Sequence, residues 1–197
     1  MGMAKASLPF GPETLVERAV RIACVATGRV IVVAAAGQAL PRFPSGVRVV
    51  HDTREGRGPL EGMLAGLTAA ADDGSAAFVT SCDAPLMLPA FIERMASLLG
   101  DHDIAVPLVL GRYHPLAAVY RTRVLAHIED LLAQDQLRPT FLFDRVPTRS
   151  VAAEELRDVD PALASLRNLN RPEDYLAALA EAGFTAPPDV MRALALE

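Results

Sequence analysis

Ala76-Ala77-Phe78-Val79-Thr80-Ser81-Cys82-Asp83-Ala84-Pro85 is an apolar, strand-like run that ends abruptly in a carboxylate and then a proline. In an open sheet wound with helices, ligands bind beyond the carboxyl ends of the strands, so a strand that ends this way offers Asp83 to a crevice. A second reading is local: Asp83 opens a turn, or caps a helix beginning near Leu88, both common roles for Asp before proline. The residues alone leave both open.

On either side of this run, helical stripes alternate with short β-branched segments, the pattern of an α/β fold. Upstream, Leu15, Val16, Ala19, Val20, Ile22 and Ala23 form one face of a helix over Thr14 to Ala26, the first predicted element. Arg29 to Ala34 and Val47 to Val50 then read as buried strands, and Pro59 to Ala71 as a helix presenting Leu60, Met63, Leu64 and Leu67. Downstream, a helix from Pro89 turns Phe91, Ile92, Met95, Leu98 and Leu99 inward. Strands at Asp103 to Pro107 and Leu116 to Tyr120 flank a turn at Gly111 to Pro115. Helices follow at Arg123 to Ala133, more briefly near Arg138 to Phe143, and at Pro172 to Ala182. Helical links between strands predict a mostly parallel sheet with helices on both faces. One domain over residues 1–182 and a C-terminal tail over 183–197, docked or frayed, is the expected organisation.

Composition narrows the partners. In 197 residues, 51% are hydrophobic, enough for a sizeable core, and 19 basic against 24 acidic side chains give a formal charge of -5. With no basic tract, neither nucleic acid nor an anionic membrane is expected as partner. A small polyanion is still allowed, because local cations and backbone amides bind phosphate inside acidic proteins. Cys24 and Cys82 lack metal or redox spacing and read as buried thiols of a reducing compartment. No apolar stretch approaches the roughly twenty residues of a membrane span, and the cytoplasm is the expected location.

Four segments carry candidate chemistry. Lys5 can neutralise a phosphate at the edge of a crevice or be an ordinary surface lysine. Asp52, at the end of a predicted strand, can accept bonds from a base or ribose, and Gly56, Gly58 and Gly62 after it miss the Gly-x-Gly-x-x-Gly spacing by one residue, with Glu61 in the third position. Asp83 is the third. In the fourth, Asn168 and Asn170 precede a proline-started helix and can either offer oxygens to a hard cation or cap that helix. His114, close to Arg112 between two predicted strands, is the histidine placed to face a substrate. A Gly-x-Ser-x-Gly elbow, a Walker lysine loop and a His-Glu-x-x-His helix are all absent.

Five motifs in register carry a resemblance: Met-Gly-x-x-Lys-Ala-x-Leu-Pro at 1–9, Gly-Pro-Leu-x-Gly-Met-Leu-Ala-Gly-Leu at 58–67, Cys-Asp-Ala-Pro at 82–85, His-Pro-Leu-Ala-Ala-Val-Tyr-Arg at 114–121 and Asn-Leu-Asn-x-Pro-Glu-Asp-Tyr at 168–175. From Met1 to about Ala182 the chain resembles the molybdenum cofactor guanylyltransferases, nucleotidyltransferases of Rossmann-like fold. The resemblance implies transfer of a guanylyl group from GTP to molybdopterin with release of pyrophosphate and help from Mg2+. It also implies roles for residues: Gly2 and Lys5 at the nucleotide phosphates, Asp52 at the nucleoside, Asp83 on the metal, and Asn168, Asn170 and His114 toward the acceptor or a second metal contact. A molybdoenzyme or a cofactor-insertion protein is the protein partner such an enzyme would have.

The family begins with a β-strand and a loop of the form Leu-Ala-Gly-Gly-x-Ser-x-Arg directly before Met-Gly-x-x-Lys, whereas this sequence starts at that methionine. The expected sheet therefore lacks its first strand and exposes strand edges. Three readings follow: an enzyme whose recorded start lies inside a longer frame, a non-catalytic member that binds molybdopterin or a partner protein, and a transferase of different specificity. The last is allowed because Ala34 and Ala36 stand where some members carry asparagine near the base. It would be a cytidylyltransferase of the same cofactor, or would serve another small phosphate acceptor such as phospholactate.

Overall fold

The computed structural model describes residues 5–52, 54 and 56–194. A 3-10 turn, Lys5–Ser7, leads into a minimal antiparallel ribbon of β1 (Pro9–Phe10) and β2 (Glu13–Thr14). Helix α1 (Leu15–Thr27) starts where Thr14 and Glu17 cap it reciprocally, and it ends at Gly28, whose positive φ of 69° lets its N–H reach Cys24 O at 2.9 Å. Strands β3 (Val30–Ala34) and β4 (Val47–His51) pair in parallel, from Val30 opposite Val47 to Ala34 opposite His51. Next come α2 (Gly58–Ala71), β5 (Ala76–Thr80) and α3 (Pro89–Ser97), both helices with a proline in the first turn, where its missing N–H costs nothing.

Strand β6 (Ile104–Val109) turns through Leu110 and Gly111 into β7 (Arg112–Tyr113), and β8 (Ala117–Arg121) returns along both β5 and β6. After α4 (Leu125–Ala133) and a 3-10 turn at Pro139–Leu142, β9 (Thr148–Ala152) adds to β6 in parallel. Helices α5 (Pro172–Glu181) and α6 (Pro188–Ala193) close the chain.

The fold is α/β as expected, but the sheet is mixed where a mostly parallel one is predicted. β5 and β6 are each antiparallel to β8, and among the described residues only β3 with β4 and β6 with β9 run parallel. The reason is the link into β8, a tight hairpin of a few residues and not a helical crossover, which forces antiparallel pairing. Four strands escape the sequence pattern: β1, β2 and β7 have two residues each, and β9 carries Arg149 and Ser150 on a sheet margin.

Alternation along the strands divides the core into layers. Ala105 and Val119 face α1 and α3, joining Ile22, Phe91, Ile92 and Met95. Ile104, Val106, Ala118 and Tyr120 face the other way, onto α2 and α4 through Leu60, Met63, Leu67 and Ile128. A third cluster joins Leu8, Phe10 and Leu15 to Tyr175, Leu179, Val190 and Leu194, so the segment after residue 182 is docked on the N-terminal ribbon. Phe184 packs edge-on to Phe10 at 5.8 Å, and the Tyr175 hydroxyl donates to Pro9 O at 2.6 Å. The ribbon that follows Lys5 is therefore held by the C-terminal part of the chain. Phe10→Ala should lower the unfolding free energy by about 3 to 5 kcal/mol in urea titrations, the usual cost of emptying a buried phenylalanine site; a loss under about 1 kcal/mol would mean that the ribbon contributes little to the core.

Candidate active site

At the carboxyl end of β5 the chain continues through Ser81 and Cys82 to Asp83, and two distant segments meet it there. Lys5 Nζ donates to Asp83 Oδ2 at 2.9 Å and to Asn170 Oδ1 at 3.4 Å. Leu169 N donates to the Asp83 carbonyl at 2.8 Å, which pins the Asn168 to Asn170 segment against the strand end. The Ser81 hydroxyl donates to Asp83 Oδ1 at 2.5 Å. Half of the ion pair is shielded: the Asp83 side chain is 15% exposed and that of Lys5 35%.

Local roles for these residues are excluded by the same contacts. The helix after Asp83 has Leu88 at its N-cap, and the Leu88 N–H donates to the Ser165 hydroxyl, so Asp83 caps nothing. At α5 the capping oxygen comes from Asp174, which accepts from Asn170 N and Arg171 N at 3.1 and 2.9 Å and leaves the Asn170 amide to Lys5. Asn168 is exposed and stands apart from the ion pair, lining a small cavity of about 220 Å³ with Leu86 and Ala178 against α5. Gly2 lies outside the described residues.

Sheet register sets the other wall. Thr80 pairs with Ala117, so the chain entering β8, including His114, comes in at the edge where β5 delivers Asp83. The Tyr120 hydroxyl, whose pKa burial drives far above the ordinary tyrosine value, donates to Pro115 O at 2.8 Å and fixes that approach. His114 N donates to Pro107 O at 3.0 Å. Burial first, and the Arg112 charge second, push the His114 imidazole below its ordinary 6.5, toward the neutral form.

Asp52 follows β4 at the matching end of the smaller sheet, its N–H donating to Ala34 O at 3.1 Å. Its Oδ1 is buried and has no partner among the described residues, which is unusual for a carboxylate oxygen unless a ligand completes it. Nearby, Glu61 is only 2% exposed and accepts from both Arg54 Nε and Nη2, at 3.2 and 2.9 Å, which ties the loop after β4 to the first turn of α2.

Residues 1–149 match the sequence profile of the MobA-like NTP transferase domain. The chain belongs to that family. It is 35% identical over 186 residues to the probable molybdenum cofactor guanylyltransferase of Mycobacterium avium, spanning 92% of this chain and 89% of the relative. A solved molybdopterin-guanine dinucleotide biosynthesis protein A from Archaeoglobus fulgidus superposes with a TM-score of 0.76 at 19% identity, over 92% of each chain. The fold is shared more widely: 2-C-methyl-D-erythritol 4-phosphate cytidylyltransferase of Thermus thermophilus matches at TM-score 0.65 and 18% identity, over 91% of this chain and 93% of that one. The transferase is thus an enzyme of the nucleotidyltransferase class with a Rossmann-like α/β fold.

Within the candidate site, Ser81 and the Arg54 to Glu61 pair are what sequence reasoning misses. Ser81 had a readable signal, since a serine two positions before an aspartate at a strand end is within reach of that carboxylate across a turn. Among the described residues no helix is long and apolar enough to cross a membrane, and Cys24 and Cys82 are both free thiols.

Two electrostatic outcomes follow. Burial raises the Cys82 thiol pKa, and the Asp83 charge raises it further, so Asp83→Asn should speed alkylation of Cys82 near neutral pH, followed by peptide mass mapping; an unchanged rate would mean that the carboxylate does not reach the thiol. For His114 the unfolded chain takes up a proton below its ordinary 6.5 while the folded site resists. That contribution to stability is complete above this value and is lost as pH falls below it toward the lowered folded pKa. His114→Gln should flatten the decline in urea midpoint between about pH 7 and about pH 5, and an identical decline in both proteins would assign it elsewhere.

Proposed function

We propose that this transferase moves the guanylyl group of GTP onto the terminal phosphate of molybdopterin, with pyrophosphate as the other product. The observation that carries the reading is the convergence of Lys5, Asp83 and Asn170 from three separate segments on the carboxyl end of β5. Such a group is suited to phosphoryl-type transfer, which depends on positioning and charge neutralisation more than on covalent help from the protein. Lys5 would hold the nucleotide phosphates, together with the Gly2 segment. Asp52 Oδ1, which has no hydrogen-bond partner among the described residues, is suited to accepting a nucleoside N–H or O–H. Asn168, Asn170 and His114 would serve the acceptor side, where a neutral imidazole can donate to a phosphate oxygen or accept from a hydroxyl.

Mg2+ fits the donors present. It takes oxygen ligands, keeps several waters and is bound through one or two carboxylates plus substrate phosphates. Asp83 supplies the carboxylate, Asn170 and Ser81 are neutral oxygens beside it, and among the described residues no third acidic, histidine or cysteine side chain builds a closed cage. When bound, the ion would neutralise phosphate charge. In the reaction, an acceptor phosphate oxygen forms the new bond to the α-phosphorus of GTP, and the bond to the β-phosphate oxygen breaks. The acceptor oxygen is already anionic, so no protein base need remove a proton. The two free thiols are in keeping with action in the cytoplasm.

The test is pyrophosphate release from GTP with Mg2+ and molybdopterin, run in competition with CTP. Asp83→Ala should reduce turnover at least a hundredfold, about 2.7 kcal/mol of transition-state stabilisation. Turnover within tenfold of the parent would overturn the assignment of Asp83, and preference for CTP would replace guanylyl with cytidylyl transfer.

A further inference from the structure

Asp160 stands outside the group of residues assigned to the reaction, yet its carboxylate is buried, only 2% exposed. Its oxygens are taken by backbone: Oδ1 accepts from Ala164 N at 2.9 Å and Oδ2 from Ser165 N at 2.8 Å, and among the described residues no cation pairs with it. An unpaired charge is costly to bury, so a carboxylate kept here does something that an apolar side chain cannot. What it holds is a strained turn. Leu163, directly ahead of a 3-10 turn at Ala164–Leu166, has a φ of 50°, a left-handed conformation that a leucine keeps only where its surroundings over-determine it. The two N–H groups bound by Asp160 follow directly after that residue, and Leu163 N donates back to Asp160 O at 2.9 Å.

We infer that Asp160 is a positioning residue for the transfer, acting through the Ser165 hydroxyl to hold the Asp83 carboxylate and the Asn170 amide at the end of β5. The turn reaches the loop that carries Asp83 at two points. Ser165, completely buried, accepts from Leu88 N at 3.0 Å, and Leu169 N donates to Asp83 O at 2.8 Å. Segments 83–88 and 165–169 therefore lie antiparallel and are bonded at both ends, with Leu163 and Leu166 in the same core cluster as Ala84 and Met87. Between those points Arg18 Nε, from α1, donates to Pro85 O at 2.5 Å. α3 has no acidic side chain in its first turn to take the N–H of Leu88, its N-cap, so the acceptor comes from across the chain and ties the helix start to the turn. Asn170 follows directly after Leu169, and its Oδ1 accepts from Lys5 Nζ at 3.4 Å. A turn released from Asp160 would let both ends of the Asp83 loop shift, and with them the oxygens that face the phosphates.

The inference rests on the reading of Asp83 as the carboxylate that holds Mg2+, and its test has one arm that needs neither metal nor nucleotide. Asp160→Asn keeps the shape and one oxygen acceptor but sets an amide donor against the other N–H, and Ser165→Ala removes the acceptor of Leu88 N. Amide exchange is followed residue by residue in the nucleotide-free protein, and pyrophosphate release from GTP with molybdopterin is titrated with Mg2+. In both variants the Leu88 and Leu169 amides should exchange more than about threefold faster, while Val106 and Val119 in the central strands keep their rates. The Mg2+ concentration for half-maximal release should also rise more than about threefold, a shift that loss of folded protein alone does not produce. Exchange at Leu88 and Leu169 within that range of the parent would overturn the positioning role, and so would an unchanged Mg2+ requirement. Should Asp160→Asn fail to fold, Ser165→Ala carries the same test. If the parent releases no pyrophosphate from GTP or CTP, the guanylyl reading fails by itself, and the exchange rates alone decide whether Asp160 positions the loop.

Discussion

Everything at the candidate site hangs on how Asp83 is held. Its carbonyl takes the Leu169 N–H, and its carboxylate takes Lys5 and Ser81, so one residue joins the end of β5 to segments from both ends of the chain. The main-chain bond counts for as much as the ion pair. A half-exposed salt bridge contributes little on its own, about 0 to 1 kcal/mol, but a backbone bond backed by buried Leu169 and the third core cluster fixes where the Asn170 amide can be. Charge then works inside a frame set by packing.

The same economy explains the placement of His114. Residue-by-residue pairing of β5 with β8 brings the start of β8 to the strand end that carries Asp83, the His114 N–H to Pro107 O ties the approach to β6, and the buried Tyr120 hydroxyl holds the intervening turn. Lengthening or shortening the approach to β8 by one residue would reverse every side chain along it, exchanging Tyr120 and Val119 between the two core layers.

Much of this was legible because each element carried its own local signal. Pro59, Pro89 and Pro172 announced helix starts, the apolar run into Asp83 announced a strand, and five motifs in register announced the family. What could not be read was long-range. Lys5 looks like any lysine near a terminus until the 78-residue separation to Asp83 is closed by the docking of Leu8 and Phe10. Asn170 looks like a cap because sequence does not reveal that Asp174 does that work from inside the helix. Strand β9 hid because its neighbour β6 supplies the burial that its own polar residues do not signal.

The absence of tryptophan gives the placement of the tyrosines an optical meaning. Of the three tyrosines, Tyr120 and Tyr175 are completely buried, and each donates its hydroxyl to a proline carbonyl, one on the turn beside His114 and the other on the ribbon that follows Lys5. Tyr113 is partly exposed and lies edge-on to Phe143 at 4.9 Å. Two of the three tyrosine rings in this sequence therefore flank the approaches to Asp83, and loosening of either approach would change the environment of a ring that the near-ultraviolet spectrum reads without any added label.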